Sequence, residues 1–286
     1  MIVGRIGELW RYPVKSMKGE RIDTAKLGAN GIPGDRGWAV RDEVRGGIRG
    51  AKKIAELMRC GARYLEEPES GRVPAPEITL PDGARLRASD ADASKRLSQA
   101  LRNEVTLWPL LPAEKLDHYR RGAPTHPDFD AEMRAVFGRA PDEPLPDFSV
   151  FPPVLFEFES PPGTYFDAFP LLLLTSATLA RLQKLAPASR VDVRRFRPNL
   201  LITTPDGVED FAELGWVGKR LRIGEVEISV PAACPRCVMI SHGFDDLPKD
   251  PGLIRTVVRE ANQNVGVYGS IERAGRIAVG DAVELL

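Results

Sequence analysis

The chain has 286 residues, of which 43% are hydrophobic and 28% charged, ordinary values for a globular protein of one large or two small domains. Its 40 Lys and Arg residues equal its 40 Asp and Glu residues, so no overall charge predicts binding to nucleic acid or to an anionic membrane. The longest apolar run, Phe169 to Leu174, is interrupted by Pro170 and is too short for a membrane span.

The N-terminus and the cysteine content predict a cytoplasmic protein. The first residues, M-I-V-G-R-I-G-E-L-W, lack the basic start and the apolar core of a signal peptide. Three cysteines in such a chain indicate a reducing compartment and make a disulfide framework unexpected.

The first hundred residues predict a β-rich region, as do the 25 prolines of the chain. Alternating residues predict a strand from Ile2 to Trp10, followed by the turn Y-P-V-K-S-M-K-G. That turn presents Lys15 and Ser16, a pair of donors suited to an oxyanion, although a lone lysine in a loop is more often simply solvated. Arg36 leaves a glycine-rich loop where the next strand begins.

Residues 109–166 differ in character, being rich in proline, acidic and aromatic residues, with one predicted helix from Phe129 to Phe137. His118 and His126 lie here without the spacing of metal ligands, so we expect surface histidines. The segment is interpreted as a long ordered excursion that packs its aromatic residues on the rest of the protein.

The C-terminal part begins with a predicted buried strand, Leu171 to Leu174. Thr175 or Ser176 then caps a helix that runs to about Lys184, and the backbone donors at its start could bind an anion. The run R-R-F-R-P-N, which contains Arg197, leads into another strand; taken alone, such a basic run indicates a solvated face.

Two of the three cysteines lie in the stretch V-P-A-A-C-P-R-C-V-M-I-S-H, residues 230–242. Alternation before Cys234 and the apolar residues after Cys237 predict a turn between two strands. Arg236 stands between the thiols, and a neighbouring cation favours the thiolate, which is the form that binds metals or attacks electrophiles. A buried structural cysteine pair is the competing interpretation.

Two further interpretations of the cysteine pair are weaker. A thiol–disulfide oxidoreductase usually opens a helix with its C-x-x-C pair, whereas Pro235 lies inside this pair and a strand is predicted to follow. A structural zinc site would need two more ligands, which only Cys60 and the three histidines could supply.

Several polar residues that are distant in sequence each fall at a strand edge, in a turn or at a helix start, where residues of a β-rich fold converge on pockets. They are Lys15, Ser16, Arg36, Thr175, Ser176 and Arg197. A basic pocket beside an arginine-flanked thiol suits a ligand that combines a phosphate with a soft metal.

Five motifs in this order resemble a known family. They are Y-P-V-K-S-M-K-G at 12–19, G-D-R-G-W-A-V at 34–40, R-F-R-P-N-L-L-I at 195–202, C-P-R-C at 234–237 and V-G-D at 279–281. Together they resemble MOSC-domain proteins with an N-terminal MOSC β-barrel domain, such as the amidoxime reducing component family. The resemblance covers nearly the whole chain.

The resemblance implies a mixed α/β, β-rich fold: an N-terminal β-barrel-like domain (1–108), the proline-rich excursion (109–164) and a MOSC β-barrel domain with short helices (165–286). It also implies a molybdenum cofactor, a phosphate-bearing pterin dithiolene, with Cys237 as the protein ligand to molybdenum. By the same match, the cofactor would be held by Lys15, Ser16, Arg36, Thr175, Ser176, Arg197 and Tyr268.

The activity that the resemblance implies is a two-electron reduction of an N–O or S–O bond in a small molecule. The electrons would come from a separate donor protein, because the chain has too few cysteines for an iron–sulfur cluster. A carrier that binds the molybdenum cofactor or sulfur, without turnover of its own, is the alternative.

Overall fold

The computed structural model describes all residues from 1 to 286, and short strands dominate it. The strands are β1 (Ile2–Arg11), β2 (Glu20–Ile22), β3 (Thr24–Leu27), β4 (Trp38–Asp42), β5 (Ile48–Arg49), β6 (Gly61–Arg63), β7 (Glu77–Thr79), β8 (Arg85–Arg87), β9 (Val105–Pro109), β10 (Leu171–Thr175), β11 (Leu200–Thr203), β12 (Arg220–Ile223), β13 (Val226–Ser229), β14 (Ala233–Pro235), β15 (Asn264–Arg273), β16 (Gly275–Ala278) and β17 (Ala282–Leu285).

The helices are few and short. They are α1 (Ala93–Leu101), α2 (Leu116–Tyr119), α3 (Phe129–Phe137), α4 (Ser176–Leu185), α5 (Val193–Phe196) and α6 (Pro251–Glu260). Single 3₁₀ turns occur at Ala55–Arg59, Phe148–Val150, Pro153–Phe156, Ala212–Trp216 and Val238–Ser241. None of the helices has the length and apolar character needed to span a bilayer.

The chain forms two compact units that interleave along the sequence. Unit 1 contains residues 1–11, 21–33 and 169–286, and unit 2 contains residues 12–20 and 34–168. The domain boundaries at 108 and 164 therefore stay a prediction, because compactness in space does not follow the order of the chain here.

Unit 1 is built on a closed barrel. Its strands pair in the order β10-β11-β1-β17-β12-β13-β15, and β15 also pairs with β10, which closes a ring of seven strands. Strand β2 adds to β1 and β14 adds to β15. Closure leaves no free strand edge within the ring. The β-rich fold predicted from the sequence is confirmed.

The apolar run at β10 shows how the barrel connects to its helices. Leu171 and Leu173 point into the barrel interior, where they pack in one core cluster with residues such as Ile6. Leu174 packs on the opposite side in a second cluster, with Leu182 of α4 and Val257 of α6. Because both faces of β10 are covered, the strand is a continuous apolar run without alternation.

Unit 2 contains two three-stranded sheets, β5-β4-β9 and β6-β7-β8. Aromatic residues of the 109–168 segment complete its core: Tyr119, Phe158 and Tyr165 are buried against Ala39 and Ile48. Aromatic side chains of this segment therefore pack within unit 2 as expected, whereas its interpretation as an excursion separate from the two domains stays a prediction.

The expectation for the histidines holds for one of them. His126 is exposed, but His118 is half-buried, with Nε2 2.7 Å from the hydroxyl of Tyr165 and its ring edge-on to Trp108. The prediction of a surface site was wrong for His118 because helix α2 turns it towards the aromatic core, a tertiary contact that sequence spacing does not reveal.

The predicted strand after Cys237 is also wrong. Residues Val238–Ser241 form a 3₁₀ turn, and Cys237 stands directly before it in an extended conformation. Cys234, predicted to lie in the turn between two strands, lies on strand β14. Three consecutive apolar residues fit a buried strand and a buried turn equally well, so periodicity did not separate the two.

Candidate functional site

Cys237 is the cysteine whose side chain reaches the surface. Cys60 and Cys234 are buried, whereas Cys237 is partly exposed. Strand β14 brings the chain to this point, and the hydrogen bond from Arg236 N to Gln263 O (2.8 Å) holds the backbone next to it. The arrangement places one partly exposed cysteine next to a backbone hydrogen bond that joins its segment to Gln263.

A buried guanidinium lies beside the thiols. Arg236 is 7% exposed; its Nη1 donates to Cys234 Sγ at 3.1 Å and its Nη2 donates to Phe196 O at 2.6 Å. Burial lowers the pKa of Arg236, but interactions with Cys234, Cys237 and Tyr268 outweigh burial and raise it above its ordinary value. The predicted cation beside the thiol pair is therefore present.

The R-F-R-P-N motif approaches the same cluster. The guanidinium of Arg236 lies 5.5 Å from the centre of the Phe196 ring. Arg197 follows immediately, is 8% exposed, and ends helix α5 in the left-handed conformation, with φ of 57°. The sequence therefore does not form the solvated basic face that a lone run of arginines indicates.

Thr175 and Ser176 lie at the start of α4, as predicted, but their hydroxyls contact protein groups. Thr175 Oγ1 accepts the helix-capping bond from Thr178 N at 3.2 Å and donates to Glu213 Oε2 at 2.6 Å. Ser176 Oγ accepts from Thr204 N at 3.0 Å. Thr175 is fully buried, so its hydroxyl serves the fold in this structure.

Glu213 is a buried carboxylate that the sequence reasoning missed. Besides Thr175, it accepts from Thr178 Oγ1 at 2.6 Å and from Gly266 N at 3.1 Å. Burial raises its pKa above the ordinary value, despite these hydrogen bonds. Gly266 has φ of 79°, a left-handed conformation within β15 that suits glycine. No spacing signal links the three elements that meet at this carboxylate.

Tyr268 lies two residues further along β15, with its ring 5.0 Å from that of Phe169. Its amide donates to Ala232 O at 2.9 Å, which joins it to the segment that leads into β14. Arg236 interacts electrostatically with Tyr268 as well as with both thiols. Unit 1 therefore brings Cys237 and Tyr268 to one cluster.

In unit 2, Lys15 is 4% exposed, and its ammonium group has three acceptors. Nζ donates to Asp167 Oδ1 (2.8 Å), Tyr165 O (2.8 Å) and Ser160 Oγ (3.2 Å). An ammonium has three N–H donors, so each is used within unit 2. Burial lowers the pKa of Lys15, and Asp167 opposes this effect. An anionic ligand could reach Lys15 only by replacing one of these acceptors.

Ser16 is held by the neighbouring loop. Its Oγ accepts from Ala51 N at 2.9 Å, and its backbone is left-handed, with φ of 68°. A Cβ on Gly50 would lie 2.7 Å from Ser16 Oγ, so the glycine permits this close approach. The K-S turn and the segment around Gly50 therefore form one local structure.

Arg36 is fixed by its own loop. Its Nη1 pairs with Asp35, a carboxylate whose Oδ1 also accepts from Tyr12 N at 2.7 Å. The guanidinium lies 5.1 Å from the centre of the Tyr12 ring. Arg36 also has a left-handed backbone, with φ of 50°.

The carboxylate of Asp167 interacts with several cations of unit 2. Besides Lys15, its carboxylate contacts Lys52 Nζ at 3.3 Å. Burial alone would raise the pKa of Asp167, but Lys15, Lys52 and Arg36 bring it well below its ordinary value. Sequence reasoning missed Asp167 and Lys52, because single charged residues in loops carry no spacing signal.

Backbone strain coincides with the predicted site. Eight non-glycine residues have positive φ, and three of them are the predicted site residues Ser16, Arg36 and Arg197. Each such conformation costs about 1–3 kcal/mol and persists where the surrounding structure requires it, often at functional sites.

Six of the eight predicted site residues thus form two clusters, and Thr175 and Ser176, bonded to Glu213 and Thr204, belong to neither. Unit 2 brings together Lys15, Ser16 and Arg36, and unit 1 brings Cys237, Tyr268 and the Arg197 motif around Arg236. The first combines cations with a carboxylate, and the second combines a cation with thiols. No group of three or more His, Cys, Asp or Glu side chains is arranged to hold a metal ion.

Comparisons with known proteins match both parts of the chain. The model of the MOSC domain matches residues 162–284, and the model of the MOSC N-terminal beta barrel domain matches residues 3–108.

Known proteins are similar to this chain over nearly all of its length. The chain is 27% identical to mitochondrial amidoxime reducing component 2 of Bos taurus, and 27% identical to that of Homo sapiens; each comparison covers 98% of this chain and 83% of the relative. It is 26% identical to human mitochondrial amidoxime-reducing component 1 over 99% of this chain and 83% of the relative. This chain belongs to the MOSC-domain proteins that carry an N-terminal MOSC β-barrel domain.

Proposed function

We propose that this protein is a molybdenum-cofactor oxidoreductase that reduces the N–O bond of N-hydroxylated small molecules. The observation that carries the proposal is the cluster at Cys237: one partly exposed thiol beside the buried guanidinium of Arg236. The similarity to amidoxime reducing components supplies the substrate class.

The donor set suits the cofactor. A soft metal that already carries sulfur ligands of its own needs only one further thiolate from the protein. Cys237 offers such a sulfur, and the buried guanidinium of Arg236 lies in the same cluster. Bound there, the cofactor would supply a metal that exchanges two electrons.

The remaining predicted residues are proposed to hold the cofactor. Arg197, Arg36 and Lys15 suit its phosphate by charge-assisted hydrogen bonds. Ser16, Ser176 and Tyr268 belong to the same assignment, as does Thr175, whose buried hydroxyl would first have to leave Glu213. Lys15 can act this way only if the ligand replaces Asp167 or another acceptor, because its three donors are used.

The proposed reaction needs a partner. Reduction of an N-hydroxylated substrate takes two electrons and two protons, breaks the N–O bond and releases the oxygen as water. We propose that a separate electron-donor protein supplies the electrons. Reduction of an S–O bond, by the same two-electron chemistry, is a further activity that we propose.

Metal content and turnover of two cysteine variants test the proposal. Protein from a host that makes the molybdenum cofactor should contain molybdenum and should reduce a benzamidoxime-type substrate with reduced viologen, but not with NADH alone. Cys237→Ala should lose molybdenum and turnover, whereas Cys234→Ala should keep both. An active Cys237→Ala protein would overturn the assignment, and molybdenum without turnover would indicate a carrier.

A further inference from the structure

Arg195 is a fully buried arginine outside the residues assigned to the cofactor. All of its hydrogen bonds go to backbone carbonyl oxygens. Nη1 donates to Ile240 O at 3.1 Å and His242 O at 3.0 Å, Nη2 donates to Pro248 O at 2.7 Å, and Nε donates to Arg190 O at 3.0 Å. Three of these four acceptors lie in the segment that follows Cys237.

Two of these acceptors lie at the end of a short turn, and the third lies where the chain approaches α6. The 3₁₀ turn Val238–Ser241 begins directly after Cys237, and the carbonyl groups at its end have no partner within it. There, Arg195 donates to the carbonyl oxygens of Ile240 and His242. It also donates to the carbonyl oxygen of Pro248, shortly before α6 begins. Arg195 therefore ties three points of residues 238–250 together, beside the backbone bond from Asp250 N to Ser241 O.

The contact between the two motifs is reciprocal. Arg195 of the R-F-R-P-N motif holds the backbone after Cys237, while Arg236 of the C-P-R-C motif donates to Phe196 O at 2.6 Å. Arg236 therefore bonds to the backbone of the R-F-R-P-N motif, and Arg195 bonds to the backbone of the segment that follows C-P-R-C. Arg197 directly follows Phe196, and Cys237 directly follows Arg236. Both contacts therefore lie next to residues assigned to the cofactor.

A buried guanidinium is a costly way to build a structural contact. Its desolvation is unfavourable, and replacing buried charge by apolar side chains is often neutral or stabilising. The planar guanidinium, however, presents five donors in a fixed fork, which an ammonium cannot imitate. The benefit of an arginine at this position is a defined backbone geometry.

We propose that Arg195 is a positioning residue that fixes the segment after Cys237 and thereby the orientation of the Cys237 thiol. Its importance for catalysis rests on the proposed role of Cys237 as a metal ligand. The orientation itself is a property of the protein without cofactor and can be measured there.

The test compares Arg195→Met and Arg195→Lys with the wild-type protein, all without cofactor. Alkylation by iodoacetamide under native conditions, followed by mass spectrometry, gives the ratio of the rate at Cys237 to that at Cys234. Hydrogen exchange gives the opening of residues 238–250. Arg139→Met is the matched control, because Arg139 is also buried and donates to a backbone carbonyl, that of Phe137.

In Arg195→Met we expect exchange at residues 238–250 to quicken about tenfold or more, since hydrogen bonds from a charged donor are lost. The alkylation ratio should change at least about threefold, with exchange in strands β1 and β11 unchanged. Arg195→Lys, which keeps the charge and loses the fork, should lie between wild type and Arg195→Met. The control should leave both readouts at the wild-type value.

An unchanged alkylation ratio in both variants would overturn the inference, even if residues 238–250 exchange faster. So would a uniform rise in exchange throughout unit 1, which would mean that Arg195 only stabilises the fold. If Arg195→Met does not fold, Arg195→Lys decides alone. Molybdenum content of the wild-type protein tests the proposed function separately: a changed thiol ratio in protein that never binds molybdenum supports the positioning and refutes the function.

Discussion

In the cluster around Lys15 a buried ammonium meets a carboxylate, whereas in the cluster around Cys237 a buried guanidinium lies beside two thiols. Asp167 accepts from Lys15 at 2.8 Å and contacts Lys52 at 3.3 Å, so the cations of unit 2 already have an anion. Arg236 donates to the sulfur of Cys234 and to a backbone carbonyl.

The difference concerns what each cluster can offer to a ligand. The Lys15 cluster can accept an anion only in exchange for a protein group, which makes binding there a competition with Asp167. In the Cys237 cluster, the residue that would donate a ligand is itself partly exposed, and its charged neighbour Arg236 is a cation. The first cluster is suited to select for an anion, and the second to donate a ligand.

Removing the carboxylate should have the largest effect. Asp167→Ala leaves the ammonium of Lys15, whose side chain is 5% exposed, without its counter-charge. Removing the more exposed carboxylate leaves the buried ammonium uncompensated. We expect this to lower the free energy of unfolding by about 3 kcal/mol, measured by denaturant titration. Asp117→Ala, which removes an exposed carboxylate paired with Arg120, is the control and should cost less than about 1 kcal/mol. Equal losses for Asp167→Ala and Asp117→Ala would mean that Asp167 acts as an ordinary surface carboxylate, and the contrast drawn between the two clusters would then be lost.

The same variant has a predicted pH dependence. The cations hold the folded-state pKa of Asp167 well below its ordinary value of about 3.9. The stabilisation is therefore fully present above the unfolded-state pKa and is lost as the pH falls through the folded-state pKa. The difference in unfolding free energy between wild type and Asp167→Ala should shrink in acid, and a difference that grows there would contradict the ion pair.

Removing the guanidinium of the other cluster should cost less. Arg236→Met leaves Phe196 O without its donor but also removes a buried charge, so we expect a loss of about 1–2 kcal/mol in the free energy of unfolding. Arg222→Met, at a surface pair with Glu284, is the control and should change the free energy little. A loss as large as that of Asp167→Ala would mean that the thiols act as strong counter-ions.

The close approach at Ser16 should give a smaller effect. Gly50→Ala places a methyl group 2.7 Å from Ser16 Oγ, which must rotate and lose its bond from Ala51 N. We expect about 1 kcal/mol of destabilisation in thermal or denaturant unfolding. Gly215→Ala is the control, because a Cβ there meets nothing within 4 Å. No difference between the two variants would show that the Ser16 turn is loosely held.

The smallest effect concerns reactivity without loss of stability. Burial raises the pKa of the Cys60 thiol to about 11, whereas Cys237 is partly exposed. Iodoacetamide at pH 8 should therefore modify Cys237 in the native protein and leave Cys60 unmodified, as followed by peptide mass spectrometry. Denatured protein, in which all three cysteines should react, is the control. Modification of native Cys60 at a comparable rate would contradict its burial.

Local patterns carried much of the prediction. Helix α3, the cap of α4 by Thr175 and the first strand depend on neighbours within a few residues, and the chain encodes them directly. The strand predicted after Cys237 is a 3₁₀ turn, and its Ile240 carbonyl accepts from Arg195, more than 40 residues away in the chain, a contact that local patterns do not reveal.

The sequence by itself determined the β-rich class, the motifs that carry the family resemblance and the candidate residues, because these depend on residue type and short spacing. Only the tertiary structure decided which groups meet. Asp167 on Lys15, Glu213 on Thr175 and Arg195 on the carbonyl of Ile240 are contacts between distant segments. Each satisfies a polar group that burial would otherwise penalise, and a requirement of that kind arises only once the chain has folded.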